Sequence, residues 1–228
     1  MPRRKIGFAN GEYYHIFNRG VDKREIFNEE KDVLRFIQSV LEFNNIENIG
    51  SIYENSLRKK TINEKLQINH GHLVTFIAYC INPNHYHFIV QQNVDNGISK
   101  FMHKLSLGYS MYFNEKYKRS GPLFSGCFKA KHIDSNEYLI HLSAYVNLNN
   151  LVHQIKFGDR VSKFVRSSWG LYSNTGTDHP IPCETKIILE QFNNNPDEYK
   201  KYGEGTLQDI IERKRPDKDM AENSQGLF

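Results

Sequence analysis

Two β-rich runs, residues 73–80 and 85–91, flank Ile81-Asn82-Pro83-Asn84, and this arrangement leaves the chain few folding options. Pro and Asn supply turn chemistry between runs rich in β-branched and aromatic residues, so the segment predicts an antiparallel hairpin. Strand side chains alternate between faces, which puts His85 and His87 on one face of its second strand. Residues 12–19 read as a preceding strand ended by Gly20, and Asn28-Glu29-Glu30 opens a helix carrying Val33, Leu34, Ile37, Val40 and Leu41. Residues 97–117 set Ile98, Met102, Leu105, Tyr109 and Tyr112 along one helical stripe. Residues 123–133 then alternate as a strand, and Asp134-x-x-Glu137 resembles a capping box opening a third helix to about residue 151. The order β-α-β-β-α-β-α predicts an α+β fold. It suits a ferredoxin-like antiparallel sheet with helices on one face and the first and third strands as central neighbours.

Residues 47–70 are polar and Asn-rich and read as an insertion within a domain spanning 1–155. After it the pattern weakens: residues 156–202 read as a small C-terminal helical extension with an amphipathic piece at 184–192, and 203–228 as a mobile tail. Hydrophobic residues make up 39% and charged residues 25%, which excludes a wholly disordered or collagenous chain. The longest apolar run, 73–81, is about half of what a bilayer requires, so no membrane span is expected. A basic start without an apolar h-region points to the cytoplasm. Cys80, Cys127 and Cys183 lie far apart and are odd in number, so they predict packing rather than disulfides or a zinc knuckle.

The net charge of +4 is modest, but residues 98–131 hold seven basic side chains against one acid. Interleaved with aromatic rings, such a segment suits single-stranded nucleic acid, with cations for phosphates and flat rings for unstacked bases. Arg19, Arg119, Lys129 and Lys131 are the phosphate candidates. Tyr112 and Phe124 are candidate stacking platforms, with core packing the alternative for both. A solvated helix face followed by a hairpin would explain the same charge run.

His85 and His87 could reach one metal ion, or could simply hydrogen-bond and pack. His70-Gly71-His72 has the same spacing but sits beside a flexible residue at the edge of the insertion. On the third helix Tyr145 and Asn149 are four residues apart and share a face. Tyr145 also belongs to an apolar stripe with Tyr138, Leu142, Leu148 and Val152, so spacing alone leaves it between core and site.

Taken together, YCINPNHYHFIV, Asn18-Arg19-Gly20, YFNEKYKRSGPLFSGCFKA and YLIHLSAYVNLN resemble the HUH single-strand transposases with one catalytic tyrosine. They are most similar to the REP-associated tyrosine transposase branch. The resemblance spans residues 13–154 and continues weakly through Ser167-Ser168-Trp169 and Tyr172. It implies an HUH endonuclease-type fold, Tyr145 as nucleophile, and His85, His87 and Asn149 as ligands of a divalent metal, Mg²⁺ or Mn²⁺. It further implies nicking and rejoining of single-stranded DNA at hairpin-bearing ends through a 5′-phosphotyrosine. Two cuts and one matched tyrosine per chain suggest a homodimer. His15, on the first strand, would face either this site or the core. Relatives tend to read Tyr-Ile-His-Leu-Asn-Pro where this chain has Tyr145-Val146-Asn147-Leu148-Asn149-Asn150. A non-catalytic nucleic-acid-binding protein of the same fold, and a phosphoesterase using water as nucleophile, therefore stand as alternatives.

Overall fold

The computed structural model describes residues 7–47, 49–52, 71–153, 162–175 and 179–214. Its elements run β1 (Tyr13–Arg19), α1 (Glu30–Phe43), β2 (Val74–Asn82), β3 (His85–Gln92), α2 (Gly97–Lys116), β4 (Lys129–Ile133) and α3 (Asn136–Asn147). There follow α4 (Asn149–Val152), β5 (Arg166–Ser167), α5 (Trp169–Ser173), α6 (Lys186–Leu189) and α7 (Pro196–Lys214). The five strands form one antiparallel sheet in the order β4-β1-β3-β2-β5, so β1 and β3 are central, as the sequence predicts. The 47–70 insertion lies mostly outside the described residues, as does His70 of the rival histidine pair.

Alternation along the strands divides the core in two. Tyr14, Ile16, Tyr86, Phe88 and Val90 point to one face, where Phe36 and Ile37 of α1 and Phe101, Leu105 and Tyr109 of α2 cover them. Each such large side chain, taken fully out of water, contributes about 1.5–3 kcal/mol. The expectation of helices on one face holds for α1 and α2. The opposite face is closed by α3 and the C-terminal extension, with Leu139, Leu142, Val146, Tyr172, Ile188 and Tyr199 packed over Ile77, Ala78, Cys80 and Ile89.

A bulge in β2 sets the phase of that strand. Phe76 pairs with Val90 and Ala78 with Ile89, leaving Ile77 as the extra residue. Beyond it Cys80 stands opposite His87 and Asn82 opposite His85.

Three boundaries differ from the sequence expectation. β4 begins at Lys129, because Leu123 and Phe124 leave the strand path and are buried in the core. The α3 cap is Ser135, whose side chain accepts from the Tyr138 N–H at 3.2 Å, one residue beyond the expected Asp134. The stretch from Gly203 is no mobile tail through Lys214 but the second half of α7. Tyr199 and Thr206 are buried there and Gly203 lies against the Trp169 ring, contacts that overcome a polar composition. Residues 215–228 lie outside the described residues.

Candidate active site

β1 and β3 present His15, Phe17, His85 and His87 on the face opposite α1 and α2, and α3 and α4 bring Tyr145 and Asn149 to the same place. Phe17 stands directly across from His87, and His15 diagonally. The His87 ring stacks on those of His15 and Phe17, which tilt against each other, and the three centroids lie 4.8–5.5 Å apart. His15 Nε2 lies 2.8 Å from His87 Nδ1, so these two nitrogens share one hydrogen bond. No other hydrogen bond to the His87 ring occurs among the described residues, leaving its Nε2 open. The His87 and Tyr145 rings meet edge to face at 5.8 Å.

His85 is oriented by its neighbours. Its Nδ1 bonds Asn84 Oδ1 at 2.6 Å, which places the ring proton on Nδ1 and the lone pair on Nε2. That Nε2 lies 2.9 Å from Asn149 Oδ1. The fully buried Asn82 amide nitrogen sits beside both, 3.0 Å from His85 Nε2 and 2.9 Å from Asn149 Oδ1. The Asn149 amide nitrogen, also buried, has no hydrogen-bond partner.

Burial, reinforced by the positive charge of Lys131, lowers the His15 pKa to about 4. Burial likewise takes His85 to about 4, with His153 and Arg19 acting in the same direction and only the bond that a protonated ring would donate to Asn149 Oδ1 opposing them. His87 is held well below the usual imidazole value by burial and then by His15, His85 and His153. All three imidazoles are therefore neutral near pH 7 and keep a lone pair each. Burial also raises the Tyr145 pKa, while the Asn149 amide works against that rise.

Among the described residues no group of three His, Cys, Asp or Glu side chains is arranged to hold a metal ion. A set of two imidazoles and one amide oxygen nevertheless fits a divalent cation. Its donors are neutral bases, and the 2.9 Å between His85 Nε2 and Asn149 Oδ1 matches adjacent corners of an octahedron. Bonds of about 2.1 Å put such corners about 3 Å apart.

A cleft of about 770 Å³ opens beside the histidines, with Arg19, Lys23, Lys129 and His153 among its lining residues. Arg19 and Lys129, two of the phosphate candidates, thus line the cleft. Lys131 is exposed on the same strand, its ammonium 4.5 Å from the centre of the Tyr138 ring. The remaining nucleic-acid candidates are not brought to the cleft. Tyr112 lies between α1 and α2 and donates to Asp32 at 3.0 Å. Phe124 is 5% exposed among Tyr86 and Tyr109, too buried to stack on a base. Arg119 bonds Asn114 at 3.2 Å and lies over Phe113 at the end of α2.

Sequence reasoning overlooked Asn82, Asn84 and His153. The first two were legible in principle: a two-residue hairpin turn puts Asn82 opposite His85. His153 follows Asn149 by one helical turn, and its ring lies 4.7 Å from that of His85.

The IS200-like transposase family matches residues 10–149, well over half the chain, and this protein belongs to that family. No curated protein matches it. Among solved structures, a REP-associated tyrosine transposase bound to a REP hairpin is 12% identical. That match covers 81% of this chain and 92% of the other, with a TM-score of 0.49. Among the described residues no helix is long and apolar enough to cross a membrane.

Proposed function

We propose that this transposase-family protein nicks and rejoins single-stranded DNA, with Tyr145 as nucleophile and His85, His87 and Asn149 as ligands of Mg²⁺ or Mn²⁺. The observation that carries this reading is the convergence of a phenol, two neutral imidazoles and an amide oxygen from β3, α3 and α4 beside an open, cation-rimmed cleft. One departure from the family pattern stands clear of it. Asn147, where relatives have histidine, is buried in hydrogen bonds with Tyr199 and Ser168.

A phenol of pKa 10 or above needs at least about 4 kcal/mol to lose its proton at pH 7. Burial of Tyr145 adds to that requirement and the Asn149 amide eases it. A bound divalent cation supplies Lewis-acid stabilisation of a nonbridging phosphate oxygen and orients the leaving 3′ oxygen. Arg19 and Lys129 hold the flanking phosphates at the mouth of the cleft. The Tyr145 oxygen attacks phosphorus and the 3′ oxygen departs, giving a 5′-phosphotyrosine and a free 3′-OH. Attack by a 3′-OH reverses the step, so strands are rejoined without a nucleotide cofactor. Excision requires two such cuts, which two copies of the chain would provide. The preferred substrates are hairpin-bearing ends.

The test is a denaturing gel of labelled single-stranded hairpin DNA from the gene's own flanks, with Mn²⁺ or Mg²⁺. Wild type should form a metal-dependent covalent adduct that Tyr145→Phe and His87→Ala both lose. Tight binding with no adduct under any condition would replace this reading with that of a non-catalytic binding protein.

A further inference from the structure

We infer that Asn82 is a positioning residue that turns the oxygen of Asn149, rather than its nitrogen, toward His85. The inference rests on the proposal that His85 and Asn149 are cation ligands, and it names what makes an amide usable as one.

An asparagine ends in two atoms of similar size and opposite character, so a ligating asparagine must be told which to present. Asn82 gives that instruction. It is 0% exposed, at the end of β2 directly opposite His85. Cys80 donates to Asn82 Oδ1 at 3.7 Å, and burial keeps that thiol protonated by pushing its pKa up to about 12. With its oxygen engaged by Cys80, Asn82 aims its NH₂ at Asn149 and His85. One N–H meets Asn149 Oδ1 at 2.9 Å and the other meets the His85 Nε2 lone pair at 3.0 Å. A donor there accepts only an acceptor opposite, so Asn149 is fixed oxygen-first. Its own nitrogen is left buried with no partner of ordinary hydrogen-bond geometry, exerting only a weak pull on the Tyr145 phenol, so Asn82 is the contact that decides between the two orientations.

Before a cation arrives, the two N–H groups of Asn82 also neutralise the facing lone pairs of His85 and Asn149. Asn149 Oδ1 has a second lone pair and can keep its bond to Asn82 while ligating. His85 Nε2 has only one, so that contact gives way on binding.

The test is a double-mutant cycle read by Mn²⁺ titration, with free Mn²⁺ followed by electron paramagnetic resonance. Asn82→Leu should weaken Mn²⁺ binding by about 10-fold or more, the usual size for loss of a partner that orients a ligand. Aspartate presents an oxygen in either orientation. In an Asn149→Asp background the same Asn82→Leu change should therefore cost less than about 3-fold, measured against a double variant shown folded by circular dichroism. Equal losses in both backgrounds, or no loss in the first, would overturn the inference. A side-chain amide experiment separates it from the metal reading. In the metal-free wild type, Asn149 NH₂ protons should show nuclear Overhauser contacts to the Tyr145 ring, and contacts to the His85 ring instead would refute the assignment. Failure of the wild type to bind Mn²⁺ would sink the ligand proposal, with the amide contacts still deciding the orientation of Asn149.

Discussion

The Asn147 amide donates to the Tyr199 phenolic oxygen across 2.9 Å, which joins the helix carrying Tyr145 to the last helix of the described chain. Ser143 Oγ lies 2.9 Å from the same oxygen, and Ser168 donates to the Asn147 carbonyl. Each of these polar side chains is buried. Removing the hydroxyl therefore strands partners instead of returning them to water. Tyr199→Phe should cost about 1–2 kcal/mol of stability. Urea denaturation should show a lowered midpoint with an unchanged slope.

Acid should strip away a different support. Burial alone would raise the Asp32 pKa, but Lys116, Tyr117 and the Asn28 and Glu29 amides hold it below the ordinary carboxylate value. A carboxyl depressed in the folded chain contributes stability that is fully present above its unfolded pKa of about 4 and is lost as pH falls through the lower folded value. Asp32→Asn leaves Lys116 with the half-exposed Glu29 as its remaining carboxylate and should cost about 2 kcal/mol at pH 7. The gap between variant and wild type should narrow below pH 4, as followed by urea midpoints across pH.

DNA affinity should discriminate the cleft from the α1–α2 side. Arg19→Ala or Lys129→Ala should weaken single-strand binding and lower the slope of log affinity against log salt by about 0.7–1. Tyr112→Phe should change neither, since its hydroxyl serves Asp32. Fluorescence anisotropy at several salt concentrations reads both quantities.

Two glycines on one helix should respond with opposite signs. A Cβ at Gly205 meets nothing within 4 Å, so Gly205→Ala should stabilise α7 by about 0.5–1 kcal/mol through helix propensity. A Cβ at Gly203 would come within 2.8 Å of the Trp169 ring. Gly203→Ala should therefore be net destabilising, by about 1 kcal/mol or more. Thermal melts of the two variants side by side check the contrast.

Much of this architecture can be read from local pattern, because the hairpin around Pro83 and the helical stripe from Ile98 to Tyr109 are each specified within a few turns of chain. The histidine pair was visible for the same reason, since a strand repeats every two residues. The contact of His15 with His87 was beyond such reading, as it depends on a pairing between residues 72 positions apart. Tyr112 and Phe124 stayed between stacking platform and core in the sequence because a basic, aromatic stretch looks alike whether its rings face bases or the core. Asp32, far away in sequence, draws Tyr112 inward. The helix at 203–214 escaped notice because its glycines and charges argue against helix locally, and packing near Tyr199 and Trp169 decides the matter.

Ile77 gives β2 two phases. Val74 and Phe76 before it and Tyr79 and Ile81 after it face the same two helices, while Ile77 and Ala78 stand together over the opposite face. Phe76 and Ala78 already pair with the adjacent Val90 and Ile89, so loss of Ile77 would close the ladder and leave Asn82 opposite His85. What would go is a buried side chain beneath Tyr172 and the carbonyl to which the Tyr172 hydroxyl donates at 2.6 Å. A one-codon deletion there would spare the cleft and fall on the seating of the C-terminal extension.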